Sequence, residues 1–228
     1  MNKFLNNYYK KSIRLTPDGF SLYDLQDNGT QRQEFYASAE NALVTNLAPD
    51  FFKFGTAEEE PLDIIVATRI PMLIPDIIYE KSKDTEYLRM QFDISQLGKA
   101  FNEPLGRYRS LFFLTQNEYS SLSELHCQPV FKSEISLFYD FLIHQESQES
   151  VLLSVNETFA DFIVIQKGEP LMVNRTTHVE NVDILYYTIN CVQQMGLSSP
   201  TLYVKQFCKP NKKLNDLLAQ YLDNIVIL

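Results

Sequence analysis

The 228-residue chain is poor in the features that mark several protein classes. Its three cysteines are scattered and odd in number, which argues against a disulfide framework and is typical of a reduced compartment. Its longest apolar stretches are strand-sized, far below the ~18–20 residues of a membrane-spanning helix. Residues 1–11 are polar and tyrosine-rich and lack the apolar core of a secretory signal. We therefore expect a cytoplasmic protein without a membrane span.

Basic residues are also scarce. The chain has 20 Lys and Arg against 29 Asp and Glu, a net charge of −9, so a phosphate backbone is repelled on average. No nucleic-acid partner is predicted, and the local basic spots at Lys10-Lys11 and residues 209–213 are interpreted as solvated surface. With 7 glycines and 10 prolines, collagen-like and low-complexity chains are excluded. A hydrophobic content of 45% is instead typical of a globular protein with a sizeable core.

The N-terminal segment has the pattern of an antiparallel meander. Residues 12–15 and 20–25 predict two strands joined by the turn Thr16-Pro17-Asp18-Gly19, because proline fixes φ and glycine accepts a positive φ. Asp27-Asn28-Gly29 is a strong hairpin signal, and residues 31–38 predict the third strand.

The middle of the chain is less regular. Its apolar patterns predict strands at residues 62–68, 72–74, 107–114 and 126–131, and helices at residues 39–54, 75–81, 116–125 and 132–145. The polar segment 145–150 is the predicted boundary between two lobes, residues 1–148 and residues 149–228.

The last third repeats the opening plan more clearly. Its predicted elements are strands at residues 151–155, 159–165, 170–174, 201–207 and 224–228, and helices at residues 180–195 and 214–221. This β-β-β-α-β-α-β order, a meander followed by right-handed αβ units, gives a mixed sheet with a parallel core. Two such units predict an α/β protein with the duplicated ribonuclease-H-like, two-lobe architecture of actin-like proteins. The alternative is an unduplicated α+β domain.

Four of these segments resemble a known family. Residues 12–21 (Ser-Ile-Arg-Leu-Thr-Pro-Asp-Gly-Phe-Ser), 152–156, 168–174 and 183–187 are similar to bacterial domain-of-unknown-function family 3822. The similarity covers most of the chain and consists of hydrophobic and turn patterns rather than catalytic signatures. It implies an actin-like ATPase fold. Because the family has no established activity, it implies no particular reaction.

The predicted phosphate loops depart from those of an active actin-like ATPase. Such an enzyme cradles phosphates with backbone N–H groups of the first strand turn in each half, while an aspartate positions Mg²⁺ and water. Here the first strand carries no aspartate, and Pro17 lacks an N–H donor. In the second turn Asn156 stands about where the aspartate is expected, and Glu157 adds negative charge. The third loop, residues 203–208, has no glycine. ATP hydrolysis and a bound cofactor are therefore not predicted.

Other chemistry finds little support. A ribonuclease H needs clustered carboxylates that bind two metal ions, whereas Arg14 faces inward where an aspartate would be expected. The adjacent His126 and Cys127 point to opposite faces of a strand and cannot easily form a catalytic pair. Cys191 and Cys208 are interpreted as small apolar residues. No catalytic residue and no metal site are predicted.

Aromatic residues occur in doublets, Tyr8-Tyr9, Phe51-Phe52, Phe112-Phe113 and Tyr186-Tyr187. Adjacent residues cannot both face one core, so such pairs either fill two cores or expose a ring to a partner. Filling two cores is the favoured interpretation. Should the protein act by docking, the first two doublets are the candidate anchors, because they lie in poorly periodic segments.

Two functional hypotheses follow. The first is a non-catalytic, cytoplasmic actin-like scaffold or interaction module that binds another protein, with a homo-oligomer left open. The second is an enzyme that binds a nucleotide or other phospho-ligand in the cleft between the lobes, lined by Thr16, Asp18, Asn156 and Thr158. Association with nucleic acid is the weakest idea because of the negative charge.

Overall fold

The computed structural model describes residue 9 and residues 11–25, 31–37, 61–123 and 128–228. The chain divides into two compact units, Met1–Leu137 and Phe138–Leu228. The segment 39–54, where a helix is predicted and which includes Phe51-Phe52, lies outside the described residues, as do His126 and Cys127. The predictions made for them stay predictions.

The first unit contains two sheets. In the order of the sequence, helices occur between the strands that form these sheets. Its elements are β1 (Lys11–Thr16), β2 (Gly19–Leu25), β3 (Gln31–Ala37), β4 (Pro61–Val66), β5 (Met72–Pro75), α1 (Asp84–Gln91), β6 (Leu97–Leu105), β7 (Tyr108–Thr115), α2 (Gln116–Ser123) and β8 (Gln128–Ser133). Helix α3 (Glu134–Ile143) follows and contains the boundary between the units.

The larger sheet of the first unit has the strand order β3-β2-β1-β4-β8. Strands β1, β2 and β3 are antiparallel neighbours, whereas β4 runs parallel to both β1 and β8. The predicted meander is therefore confirmed. The parallel strands β4 and β8, which extend the sheet beyond β1, are formed by the middle of the chain.

The second unit has the same plan. It consists of β9 (Glu149–Val155), β10 (Phe159–Gln166), β11 (Glu169–Thr177), α4 (Asn181–Gln194), β12 (Thr201–Gln206), α5 (Lys212–Leu218) and β13 (Ile225–Ile227). Its strand order is β11-β10-β9-β12-β13, with β9, β10 and β11 antiparallel and β12 parallel to β9 and β13. The shared topology of the two five-stranded sheets confirms the duplicated ribonuclease-H-like architecture, including the predicted β-β-β-α-β-α-β order.

The smaller sheet of the first unit, β5-β7-β6, departs from the sequence prediction. A helix from Pro75 is wrong, because residues Asp76–Ile78 and Lys81–Lys83 form only short 3₁₀ turns. Helix α1 and strand β6 carry no strong apolar period and were not predicted. Pro104 is tolerated in β6 because that strand lies at the edge of its sheet.

The hydrophobic core of the second unit lies on one face of its sheet. Sheet residues such as Val151, Leu153 and Val204 pack there with the buried sides of α4 and α5. Gly196 ends α4 with a φ of +64°, a left-handed conformation that glycine adopts without strain.

Glu149, the first residue of β9, forms hydrogen bonds with the loop that precedes β12. Its Oε2 accepts hydrogen bonds from the backbone N–H groups of Ser198 (2.8 Å) and Ser199 (3.1 Å), and its Oε1 accepts one from Gln166 Nε2 (3.0 Å). The bond from Ser199 and then that from Gln166 are the main causes that lower the pKa of Glu149 below its ordinary value.

We expect the substitution Glu149→Gln to remove a pH-dependent part of the stability. A carboxyl group whose pKa is depressed by folding stabilises the native state above its unfolded pKa, and that contribution is lost as the pH falls through the folded pKa. The urea midpoints of wild type and variant should differ at neutral pH and converge in acid. A difference that widens on acidification would contradict this assignment.

Candidate functional site

The turn between β1 and β2 contains two of the predicted ligand-lining residues, Thr16 and Asp18. Thr16 is the last residue of β1 and is buried, and its hydroxyl donates a hydrogen bond to the Gly19 carbonyl at 3.1 Å. Asp18 is half-buried at the tip. Pro17, between them, is exposed and contributes no N–H donor.

Behind this turn, β1 carries a buried ion pair. Arg14 is 2% exposed, and its Nε and Nη2 donate to Oε1 (2.5 Å) and Oε2 (2.8 Å) of Glu134, the first residue of α3. Burial alone would lower the pKa of Arg14, but the adjacent carboxylate raises it overall. The predicted inward direction of Arg14 is confirmed, and a bidentate partner satisfies its charge.

Tyr9 joins the same network. Its hydroxyl donates to Glu134 Oε1 at 2.7 Å, and its ring lies 5.0 Å from that of Tyr23. Burial, followed by the nearby carboxylate, raises the pKa of Tyr9 well above its ordinary value. Tyr9 is fully buried, so the hypothesis that it anchors a partner is wrong. The physical reason is that the carboxylate of Glu134 offers the phenol an acceptor inside the protein.

The turn between β9 and β10 holds the other two predicted residues. The backbone N–H of Asn156 donates to the Phe159 carbonyl at 2.9 Å, and its carbonyl lies 3.0 Å from Nε2 of His178. The Asn156 side chain is buried, with its Nδ2 3.5 Å from Ser154 Oγ. Thr158 is exposed, and its carbonyl accepts from the His178 N–H at 3.1 Å. Both the backbone N–H and the backbone carbonyl of Asn156 thus have partners within the protein.

Next to this turn, one face of the sheet carries a row of polar side chains. Lys205 of β12 lies opposite Ser154 of β9, which lies opposite Asp161 of β10, which lies opposite Arg175 of β11. Directly opposed residues share a face, so the four form one row. Arg175 donates two hydrogen bonds to the Asp161 carboxylate, at 2.6 and 2.7 Å. Lys205 is only 3% exposed.

This row suits charge pairing rather than metal chemistry. Two-metal hydrolysis needs several carboxylates around the ions, whereas Asp161 is the one carboxylate in this row and is bound by Arg175. Among the described residues, no group of three or more His, Cys, Asp or Glu could hold a metal ion. Burial raises the pKa of the Cys191 thiol to about 12 and also raises that of Cys208, so neither is an activated nucleophile.

The structure therefore places the four predicted residues in two corresponding turns, one in each unit. Thr16 and Asp18 share the β1–β2 turn, and Asn156 and Thr158 share the β9–β10 turn. The family model for proteins of unknown function called DUF3822 matches residues 2–225. The chain belongs to the DUF3822 family.

Solved structures confirm the actin-like fold of this DUF3822 protein. A Bacteroides thetaiotaomicron VPI-5482 protein with an actin-like ATPase fold and unknown function is 17% identical, with a TM-score of 0.74 over 100% of this chain and 94% of that one. The PilM–PilN type IV pilus biogenesis complex gives 11% identity and a TM-score of 0.60 over 95% and 87% of the two chains. The ethanolamine utilization protein EutJ from Carboxydothermus hydrogenoformans gives 7% and 0.52 over 96% and 84%.

At these identities the likeness concerns the fold alone. No curated protein matches the DUF3822 chain. No helix in the part of the chain that the structure describes is both long and apolar enough to cross a membrane.

Sequence reasoning missed Glu134, the partner that neutralises Arg14. The two residues are 120 positions apart, and Glu134 has the ordinary appearance of an acidic residue in the first turn of a helix. The one available signal was indirect: an arginine in the middle of a buried strand requires a carboxylate somewhere in the fold.

Proposed function

We propose that this DUF3822 protein is a non-catalytic cytoplasmic actin-like module that acts by binding another protein. The observation that carries the proposal is the buried pair formed by Arg14 of β1 and Glu134 of α3. Phosphoryl transfer uses a carboxylate to position Mg²⁺ and the attacking water. In this unit the charged group of β1 is a cation, and the carboxylate that approaches it is already bound in two hydrogen bonds.

The two turns support the same proposal. Pro17 removes a donor from the first, and the Asn156 N–H of the second donates to Phe159 rather than pointing to a ligand. A phosphate cradle depends on several free backbone N–H groups that converge on one anion. Glu157, exposed beside Asn156, adds a negative charge that disfavours a phosphate there.

Protein binding is compatible with the fold. A chain of the PilM–PilN type IV pilus biogenesis complex shares it. In this chain the doublet Tyr186-Tyr187 on α4 is exposed, at 64% and 38%, with the rings 5.4 Å apart. Exposed aromatic residues are the side chains most enriched among strong contributors to protein interfaces.

The alternative is a phospho-ligand-binding enzyme that uses the turns of both units. The exposure of Thr158 and the half-exposed carboxylate of Asp18 favour it, because these groups could contact a ligand, with Thr16 and Asn156 behind them. A nucleotide-binding measurement separates the two proposals.

We expect millimolar ATP with Mg²⁺ to leave the melting temperature unchanged. A ligand that binds only the native state at about a hundred times its dissociation constant adds ~2.7 kcal/mol, which is several degrees for a chain of this size. The measurement is a thermal-shift titration, with ATP without Mg²⁺ as its control. A shift of several degrees that Thr158→Trp abolishes would instead support the phospho-ligand-binding alternative.

A further inference from the structure

The second unit contains an open pocket of about 570 Å³ beside the C-terminal end of α3. Its walls come from the segment that follows α3 and from the start of β12. The lining residues are His144, Gln145, Glu146, Ser147, Thr201 and Tyr203. This volume is within the range of roughly 300–1,000 Å³ that is usual for small-ligand sites. The four residues of the predicted phospho-ligand site do not line it, so the pocket is a separate site.

Tyr203 forms the buried wall of this pocket. It is 7% exposed, and its ring packs edge-to-face on that of Phe141, with the centroids 5.4 Å apart. Its hydroxyl forms no hydrogen bond with any described residue. Burial, and then the charge of Glu146, raise the pKa of Tyr203 above its ordinary value, so the phenol keeps its proton and lies near that carboxylate. A buried polar group normally has a partner, and here the pocket is where a partner can reach it.

The other polar groups of the pocket are mainly hydrogen-bond acceptors. His144 Nδ1 lies 2.6 Å from the Asp140 carbonyl oxygen. Because a carbonyl only accepts, Nδ1 carries the proton of the uncharged ring and Nε2 keeps its lone pair. Gln145 donates through Nε2 to the Phe141 carbonyl at 2.8 Å, which leaves its Oε1 as an acceptor. Glu146 is exposed and forms no ion pair within the described part of the chain.

The pocket also has a negative electrostatic potential. Glu146 is its one charged lining residue, and the adjoining C-terminal end of α3 carries the partial negative charge of the helix dipole. The segments that line or adjoin the pocket, 138–150, 198–204 and 222–228, contain no Lys or Arg. Their acidic residues are Asp140, Glu146, Glu149 and Asp223.

Two lysines belong to neighbouring parts of the fold, and neither lines the pocket. Lys205 follows Tyr203 by two residues in β12, but it is 3% exposed and its ammonium group lies 5.4 Å from the centroid of the Phe207 ring, further along the chain. Lys167 is in the turn between β10 and β11, where Glu169 supplies an opposite charge. The negative charge of the pocket therefore stands without a cation of its own.

We propose that this pocket binds an organic cation with N–H donors, a primary ammonium or a guanidinium group. Glu146 supplies the opposite charge, and His144 Nε2, Gln145 Oε1 and the Tyr203 hydroxyl oxygen accept hydrogen bonds from the cation. An anion is repelled by Glu146. A metal ion fits poorly, because no group of three or more His, Cys, Asp or Glu among the described residues could hold one. The cation is a free amine or the side chain of a Lys or Arg of another protein. The inference does not depend on the proposed function.

The test is a titration of the isotope-labelled protein, followed through its amide chemical shifts. Spermidine represents a free amine, N-acetyl-arginine methylamide represents a protein side chain, and N-acetyl-citrulline methylamide is the uncharged control of the same shape. We expect saturable shifts at residues 144–147 and 201–203 with a charged probe, at a dissociation constant of about 1 mM or tighter, and none with the citrulline compound. Tighter binding of spermidine identifies a free cation, and tighter binding of the arginine compound identifies a side chain.

Three variants test the assignment of the residues. Glu146→Gln removes the charge but keeps the shape and should weaken binding about tenfold, and Tyr203→Phe removes only the hydroxyl and should weaken it about threefold. Asp216→Asn is the matched control. It removes the same charge from α5, which packs with Val204 on the opposite face of the sheet, and should leave the affinity unchanged.

Several results would overturn this site. They are equal shifts with the citrulline compound, equal losses in Glu146→Gln and Asp216→Asn, tighter binding of Zn²⁺ at the same residues, and no saturable shift up to about 20 mM of either charged probe. Equal losses in the two charge variants would reduce the attraction to the net charge of −9. None of these results bears on the response to ATP, so this site and the proposed function fail separately.

Discussion

Replacing Glu134 with alanine is expected to destabilise the protein by about 3–5 kcal/mol, the cost of leaving a buried charge without its partner. Arg14 and Glu134 are both 2% exposed, so water cannot solvate the guanidinium after the carboxylate is removed. The Tyr9 hydroxyl loses its acceptor in the same variant. Urea unfolding of wild type and variant measures the difference in the free energy of unfolding.

Two controls test the cause. Lys132 and Asp63 form an ion pair at 2.7 Å in the same unit, but their side chains are 35% and 31% exposed. Lys132→Ala should therefore cost only about 0.2–1 kcal/mol. The double variant Arg14→Met and Glu134→Leu removes both charges and should recover much of the lost stability. If Glu134→Ala were as mild as Lys132→Ala, the buried pair would not stabilise the fold in the way described.

The local signals in the sequence predicted the duplicated sheets well. The turn at Pro17 and Gly19 and the apolar pattern of the last third are signals carried by residues close together in sequence. The strands of a meander are also adjacent in sequence, so these signals predict how they pair. The resulting strand order then limits the topology, because right-handed crossovers place the following strands parallel to the first. Both five-stranded sheets could therefore be predicted, although no single motif indicates which distant strands pair.

The parts that the sequence did not reveal depend on long-range contacts. Strand β6 has a proline and no clean alternation, and it becomes a strand because β7 pairs with it along nearly its whole length. Tyr9 looked like a surface residue in a polar segment, yet the carboxylate of Glu134, 125 positions away, makes its burial favourable. The turns with Thr16, Asp18, Asn156 and Thr158 were located correctly, but their hydrogen bonds to Gly19 and His178 follow from the folded backbone.

The doublet Phe112-Phe113 shows how adjacent rings can both be structural. Phe112 packs into the core cluster of the large sheet with Ile13 and Leu15, whereas Phe113 packs with Ile74 and Leu88 against the other side of the small sheet. Both are nearly inaccessible, at 1% and 3%. Since successive residues of β7 point to opposite faces, the favoured interpretation of two cores is confirmed for this pair.

We expect Phe112→Ala and Phe113→Ala each to cost about 3–5 kcal/mol, because either substitution removes a buried ring and leaves a cavity that close-packed neighbours cannot fully fill. Urea denaturation of each variant measures the loss. Tyr186→Ser is the matched control: it also removes a ring from an aromatic doublet, but one that is 64% exposed, and should change the stability by no more than about 0.5 kcal/mol. Equal losses at positions 112 and 186 would show that α4 needs its outer ring for folding, which would remove the premise that this face is available to a partner.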